Sequence, residues 1–391
     1  MSDSGPDEVT VLVGSNQFQG WQTVSISRSC ETMPNTFAVT ASAEFLQGAA
    51  LDGTRPGQSC KILIGRDLVI TGWIDRRSIN VDPRAHVVTI SGRGITRNLV
   101  DCSADLVHDP VLKGGQMTSP NCLDVAKKLC HSYGITARSA VSDLGYAIRS
   151  IQISLGDTPY SIIETVARYS GFLVYEDQNG NLVLDRVGTK SHASGFSMPG
   201  NIEAIQAEVS VDQRYSEYLV VFSGIDQLAQ LGSLLNRRAD VPDPTLGEFR
   251  LRIITSEQSP QPPDGLLNVP ANAFAEQRAN WELARRFGRS NAASITCDSW
   301  RDSARVLWTP NMLATINAPG AGLAGVPWII GSVTYRKDLS GTHADLILMP
   351  PGAFLPEPQA LDLINQQLLL PPQAPQTPAP PTTSPAAPSI G

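Results

Sequence analysis

The segment Val69–Gly92 (VITGWIDRRSINVDPRAHVVTISG) returns in degenerate form as Trp328–Met349 (WIIGSVTYRKDLSGTHADLILM), so the chain is expected to build one kind of β-hairpin twice. Each copy reads as an apolar strand ending at Gly72 or Gly331, then Ile74 or Val333, then a basic pair, Arg76-Arg77 or Arg336-Lys337. A polar turn follows, and a returning strand opens at His86 or His343. The likeness extends upstream, where Ala38-Val39-Thr40 matches Ser294-Ile295-Thr296, Pro56 matches Pro310, and Ile62–Ile64 matches Ala314–Ile316. Two such units at opposite ends of one chain imply duplication, and their separation excludes a short-period solenoid.

A duplication needs room, and 391 residues allow two to four domains with cores of their own. In the first unit, residues 10–14, 21–28, 36–43, 60–64, 68–74 and 86–91 read as strands, punctuated by Pro34, Gly53, Pro56-Gly57, Gly65-Arg66-Asp67 and Asp82-Pro83. Short strands at this spacing predict a small barrel or sandwich. The pattern changes after Gly94. Ser119 as N-cap and Pro120 predict a helix over 120–133, with Cys122, Val125, Ala126, Leu129, Cys130 and Tyr133 on its apolar stripe. Thr158-Pro159 opens a second helix that turns Ile162, Ile163, Val166, Ala167 and Tyr169 inward and stops at Gly171. Strands 172–175 and 182–184 flank a turn in which Asn179-Gly180 is expected to supply positive φ angles. Strands return at 202–210, 218–223 and 249–254, and a helix over 272–287 precedes the second hairpin unit.

The predicted fold is therefore α+β and mainly β. Two similar small β-barrel-like domains (1–100 and 201–350, the second with an inserted helix) flank a middle α+β module (101–200), and a proline-rich tail follows (351–391). Ten of the 36 residues from Pro356 onward are proline, so this tail is expected to run extended. Leu361, Leu363, Ile364, Leu368, Leu369 and Leu370 are too apolar for a free linker and make it a candidate docking strap.

Composition narrows the function by exclusion. A net charge of −7, with basic residues spread singly or in pairs, argues against a nucleic-acid grip. The densest basic cluster, Arg285, Arg286 and Arg289, reads as complement to the dipole of a helix ending at Gly288. The acidic start lacks a signal-peptide pattern, and residues 314–330 are broken by Asn317, Pro319, Pro327 and glycines, so no membrane anchor is expected. Six cysteines without a C-x-x-C pair are expected to be free, mostly buried thiols.

Catalytic and metal chemistry find little support. Cys122 and Cys130 lie eight residues apart on an apolar stripe beside His131, which is core spacing and not zinc spacing. Gly92-Arg93-Gly94 lacks a third glycine, and no G-x-S-x-G or phosphate-loop motif occurs. The histidines at 86, 108, 131, 192 and 343 are isolated in sequence, and Glu176-Asp177 reads as a pair of solvated acids before a turn. No cofactor and no enzymatic activity are expected.

The runs GWIDRRSINVDPRAHVVTISGRGITRNLVDCSA and GDTPYSIIETVARYSGFLVYEDQNGNLVLDR, with the phrase Phe18-Gln19-Gly20-Trp21, resemble baseplate hub proteins of Mu-like contractile-tailed phages, in the late-control-protein-D superfamily. The resemblance spans roughly residues 9–349 and implies a homotrimer whose two β-domains per chain form a six-part ring. Such a ring would continue the hexameric tail tube, hand over to a trimeric central spike and enclose the DNA channel. Implied partners are the tail tube or distal tail protein, the spike and other baseplate proteins, with DNA passing without specific binding. The implied location is the virion baseplate, assembled in the bacterial host cytoplasm. The basic pairs Arg76, Arg77, Arg336 and Lys337 are expected at hairpin ends near neighbouring subunits. The proline-rich tail departs from the family pattern. Rival readings are a tail-tip cell-wall hydrolase, the hub half of a type VI secretion spike, and a carbohydrate-binding module, the last weakened by an aromatic content of 6%.

Overall fold

The computed structural model describes residues 7–42, 53–83, 86–145, 148, 150–222, 238–256 and 271–356. The candidate strap residues Leu361, Leu363, Ile364 and Leu368–Leu370, and the proline-rich tail around them, lie outside the described residues. Strands β1 (Val9–Val13), β2 (Asn16–Phe18), β3 (Thr23–Ser29), β4 (Thr36–Ser42), β5 (Ser59–Ile64), β6 (Asp67–Val81) and β7 (His86–Gly94) form the first β unit. Their order is β2-β1-β5-β6-β7-β4-β3, and every pairing is antiparallel. Alternation decides which faces are inside: Val24 and Ile26, Phe37, Val39 and Ala41, and Val88 and Ile90 turn into one core. β6 is longer than the apolar run predicted. Beyond a bulge at Asp75 it continues to Val81 as a largely exposed strand of mixed polar and apolar residues paired with β7.

The middle module comprises α1 (Arg97–Asp101), β8 (Gln116–Thr118), α2 (Cys122–His131), β9 (Ala137–Ser139), β10 (Ser150–Gln152), α3 (Pro159–Ser170), β11 (Leu173–Glu176) and β12 (Leu182–Asp185). The buried stripes of α2 and α3 close over this module's own core. The N-cap of α2 is Asn121 and not Ser119, because Asn121 and Asp124 satisfy each other's backbone N–H in a capping box. Ser119 instead takes a left-handed φ of 51°. Helix α3 starts and stops as its sequence predicts, with Thr158 accepting from the Ser161 N–H and Gly171 left-handed at φ 70°. The β11–β12 turn differs: Gly180 has positive φ and Asn179 does not. Asp177 replaces the expected two-residue geometry, its Oδ1 accepting from the N–H groups of Asn179 and Asn181, each at 2.9 Å.

The remaining elements are β13 (Phe196–Ser197), β14 (Ile202–Val209), β15 (Glu217–Phe222), β16 (Arg238–Pro242), β17 (Leu251–Ser256), α4 (Ala271–Arg289), β18 (Asn291–Cys297), β19 (Leu313–Ala318), β20 (Leu323–Asp338) and β21 (Gly341–Met349). Between β14 and β18 the chain inserts a three-stranded sheet, β16-β15-β17, as well as the expected helix, and α4 packs on it through Ala275 and Ala279. Helix α4 does not stop at Gly288. That glycine is interior, and a β-carbon there would strike the backbone of Ala353, so it marks close packing and not a cap.

The second unit repeats five strands of the first. Its order β14-β18-β21-β20-β19 parallels β3-β4-β7-β6-β5 in sequence order, and all of these pairings are antiparallel. The two units are not separate barrels. β20 pairs with β3, which merges them into one 13-stranded sheet over a shared core. Without β20 the outer edge of β3 would expose unpaired backbone groups, and edge pairing removes that cost.

Ladder register also corrects the residue matching within the repeat. Val39 pairs with Ile90, and Ile90 with Arg77; Ile295 pairs with Leu346, and Leu346 with Val333. If Val39 matches Ile295, the strand mate of Val333 is Arg77, and Ile74 matches Ile330. The Gly72/Gly331 and Ile74/Val333 pairings are therefore out of register. The bulges themselves fall at equivalent positions, Asp75 and Gly331, so the slip lies in aligning Gly72 with Gly331 and not in the strands. His86 opens β7, whereas β21 opens at Gly341 and His343 sits two residues inside it.

Candidate assembly seam between the repeated units

The seam is the β3–β20 ladder, from Ser332 opposite Ser29 to Lys337 opposite Val24. Its inward face sets Tyr335 directly across from Ile26, both fully buried. On the other face the hydroxyls of Ser27 and Thr334 meet at 2.8 Å. Tyr335 donates to the carbonyl of Trp308 and packs edge-on against Trp300, whose Nε1 donates to the His343 carbonyl at 2.8 Å. Arg301 ties the units across the sheet end: Nη1 lies 2.5 Å from Asp67 Oδ2, Nε 3.1 Å from Asp7 Oδ1, and Nη2 donates to the Ile64 carbonyl at 3.2 Å. Pattern reading missed Arg301, because three of its acceptors come from the other end of the chain.

The predicted interface residues divide between two settings. Arg336 and Lys337 stand in the seam: Arg336 pairs with Asp338 and, at 3.1 Å, with Asp345, while Lys337 Nζ lies 3.7 Å from Glu8. Arg76 and Arg77 are not at a hairpin end. They follow the Asp75 bulge in the middle of β6, and their ladder equivalents in the second unit are Ser332 and Val333.

The middle module is locked to both units by side chains that read as ordinary in sequence. Glu176 and Asp177 are buried, contrary to the expectation of solvated acids. The Glu176 carboxylate accepts the N–H groups of Asn35 at 2.9 Å and Thr96 at 3.1 Å, and its backbone carbonyl accepts Asn35 Nδ2 at 3.2 Å. Burial pushes this carboxyl up to about 7, against the pull of those two donors. Asp177 is held by its turn and by Arg138, whose Nε lies 3.1 Å away. On the other side Asn311, at a left-handed φ of 63°, accepts from the Gly188 N–H at 2.7 Å and donates to the Arg186 carbonyl at 2.9 Å. Arg285 and Arg289 do more than complement a dipole: they donate to the carbonyls of Ala353 and Leu355, and Arg289 also pairs with Glu31.

Histidines that looked isolated find acids in the fold, but in structural settings. His192 is buried, with Nδ1 3.0 Å from Asp302 Oδ2 and Nε2 accepting the Thr309 N–H at 3.1 Å, so both ring nitrogens are engaged. Burial works against ionisation of Asp302, yet bonds from the Val306 N–H, His192 and the Ala193 N–H hold its carboxyl below the usual range. His131 and Ser132 both bond Asp109 and not each other. His343 lies 2.6 Å from Glu203. Cys122 and Cys130 sit in the module core, where burial pushes each thiol up to about 12. Among the described residues no group of three His, Cys, Asp or Glu side chains gathers as a metal site.

Comparison with known proteins agrees with this architecture unit by unit. Residues 8–94 match the family described as Mu phage baseplate assembly protein GpP-like, N-terminal. Residues 96–186 match the second domain of baseplate hub protein gp44-like, and 271–357 the fourth domain of Mu phage baseplate assembly protein GpP. Baseplate hub protein gp44 of Escherichia phage Mu is 28% identical over 357 residues, covering 89% of each chain. The 43 kDa tail protein of prophage MuSo2 from Shewanella oneidensis superposes with a TM-score of 0.75 at 28% identity, over 90% of this chain and 100% of that one. A tail protein from Neisseria meningitidis MC58 superposes with a TM-score of 0.68 at 20% identity, over 90% and 98% respectively. The chain belongs to the baseplate hub proteins of Mu-like phages.

Proposed function

We propose that this hub acts as a symmetry adaptor: three copies form a ring of six similar β units that joins a hexameric tail tube to a trimeric central spike and encloses the channel through which DNA leaves. The observation that carries this reading is the repetition of one strand order, β3-β4-β7-β6-β5 and β14-β18-β21-β20-β19, within a single chain. Two similar units in each of three chains present six similar surfaces to a sixfold partner while the chains keep threefold symmetry for the spike. The role is structural: the His–Asp pairs hold loops, and binding falls to sheet edges and outer faces. Its partners are then the tail tube or distal tail protein, the spike and neighbouring baseplate proteins. Light scattering on the purified full chain tests the reading. The expected particle has three times the 41.9 kDa chain mass. A strict monomer or dimer at high concentration would refute the adaptor.

A further inference from the structure

The repeat leaves one sheet edge without its counterpart on each side of the chain. Within the chain, the β20 stretch Ser332–Lys337 covers the outer edge of β3. The strand equivalent to β3 is β14, and among the described residues its outer edge is paired with nothing. The stretch equivalent to Ser332–Lys337 is Arg76–Val81, the second half of β6, which pairs with β7 on one side and with no described strand on the other. We infer that these two edges join between neighbouring copies: residues 76–81 of one chain add antiparallel to β14 of the next, repeating the β3–β20 junction. The inference rests on the ring reading and gives it a residue-level interface.

The two ladders fix the register. Matching Val39 to Ile295 places Val24, Ile26 and Arg28 of β3 on Ile205, Ala207 and Val209 of β14, and Arg77, Ile79 and Val81 on Val333, Tyr335 and Lys337 of β20. Copying the seam then sets Val81 opposite Ile205, Ile79 opposite Ala207 and Arg77 opposite Val209. On the alternate face, Asn80 meets Gln206, Ser78 meets Glu208 and Arg76 meets Ser210.

Chemistry agrees with this pairing on both faces. Ile79, Val81 and Val209 are 44%, 66% and 73% exposed, which is unfavourable for β-branched side chains on an edge strand, and the register puts them on one face with Ile205 and Ala207. The opposite face is polar throughout, and Arg76 lies diagonal to Glu208, within reach of a long side chain. A slip of one residue in either direction would set Ile79 against Glu208 or Gln206 and Ser78 against Val209 or Ala207. Each chain offers one edge of each kind, so the contact is head-to-tail and closes when the turn per unit matches a ring.

Cross-linking on the full-length chain tests the pairing. The double variant Ser78→Cys with Glu208→Cys is treated with a short bis-maleimide and run on denaturing gels, beside light scattering of the same samples. Covalent dimers and trimers are expected, absent from either single variant. They should also be absent from Ser78→Cys with Ala204→Cys, whose thiols would lie about 13 Å out of register. Ile79→Asp should shift the particle toward monomer. A trimer that forms without this cross-link, or that tolerates Ile79→Asp unchanged, overturns the edge pairing and leaves the ring reading standing. A monomer at every concentration overturns both.

Discussion

Gly94 and Glu176 occupy one space: a β-carbon at Gly94 would fall within the carboxylate of Glu176, the group that caps the Asn35 and Thr96 backbones. Here the first β unit and the middle module share a wall without filler between them. Gly94→Ala should therefore destabilise the chain by about 1–3 kcal/mol, the usual cost of overpacking. A lowered urea midpoint without a changed slope is the expected result. An unchanged midpoint would mean that the carboxylate can step aside.

The same carboxyl makes the junction sensitive to pH. Its folded value near 7 exceeds its ordinary 4.5, so the folded state holds the proton more tightly than the unfolded one. The contribution is fully present below the ordinary value and fades as pH rises to about 7, where it levels off. Its size is on the order of 3 kcal/mol. Urea titrations at pH 5 and pH 8 should show the chain more stable at the lower pH with respect to this group. In Glu176→Gln that difference should shrink, and an undiminished difference would assign the pH dependence to other groups.

Gly288 sits inside α4, where glycine to alanine ordinarily stabilises a helix by about 0.5–1 kcal/mol. The sign should be reversed here. The new methyl would push on the Ala353 backbone and disturb the bonds by which Arg285, Arg289 and Trp281 hold residues 353–355. A lower melting temperature for Gly288→Ala is expected; a higher one would show that the segment is loosely held.

Thiol reactivity should single out one cysteine. Burial pushes Cys30, Cys60, Cys122 and Cys130 up to about 12 and Cys297 up to about 11, while Cys102 alone is partly exposed. Brief alkylation of the native chain at pH 8, read by mass spectrometry, should modify Cys102, and denaturation should release all six. Rapid native modification of Cys122 or Cys130 would contradict the packed core.

The sequence by itself determined the elements whose signals are local. The Thr158 cap, Pro159 and Gly171 fix α3 because each acts within one turn of helix, and alternating apolar residues fix β3, β4 and β7 because strand faces repeat every second residue. The repeat was legible for the same reason, since one set of strand faces is written twice. Its register was not, because the sequence match sets Gly72 on Gly331, whereas the ladders set Asp75 on Gly331, each the bulge of its own strand. Only the tertiary structure decided that β20 closes the edge of β3, that Glu176 is a buried cap, and that Arg301 spans three acceptors from the first unit. Each depends on groups distant in the chain, and a backbone edge or carbonyl offers the same chemistry at every residue. Their meeting is set by how whole sheets pack.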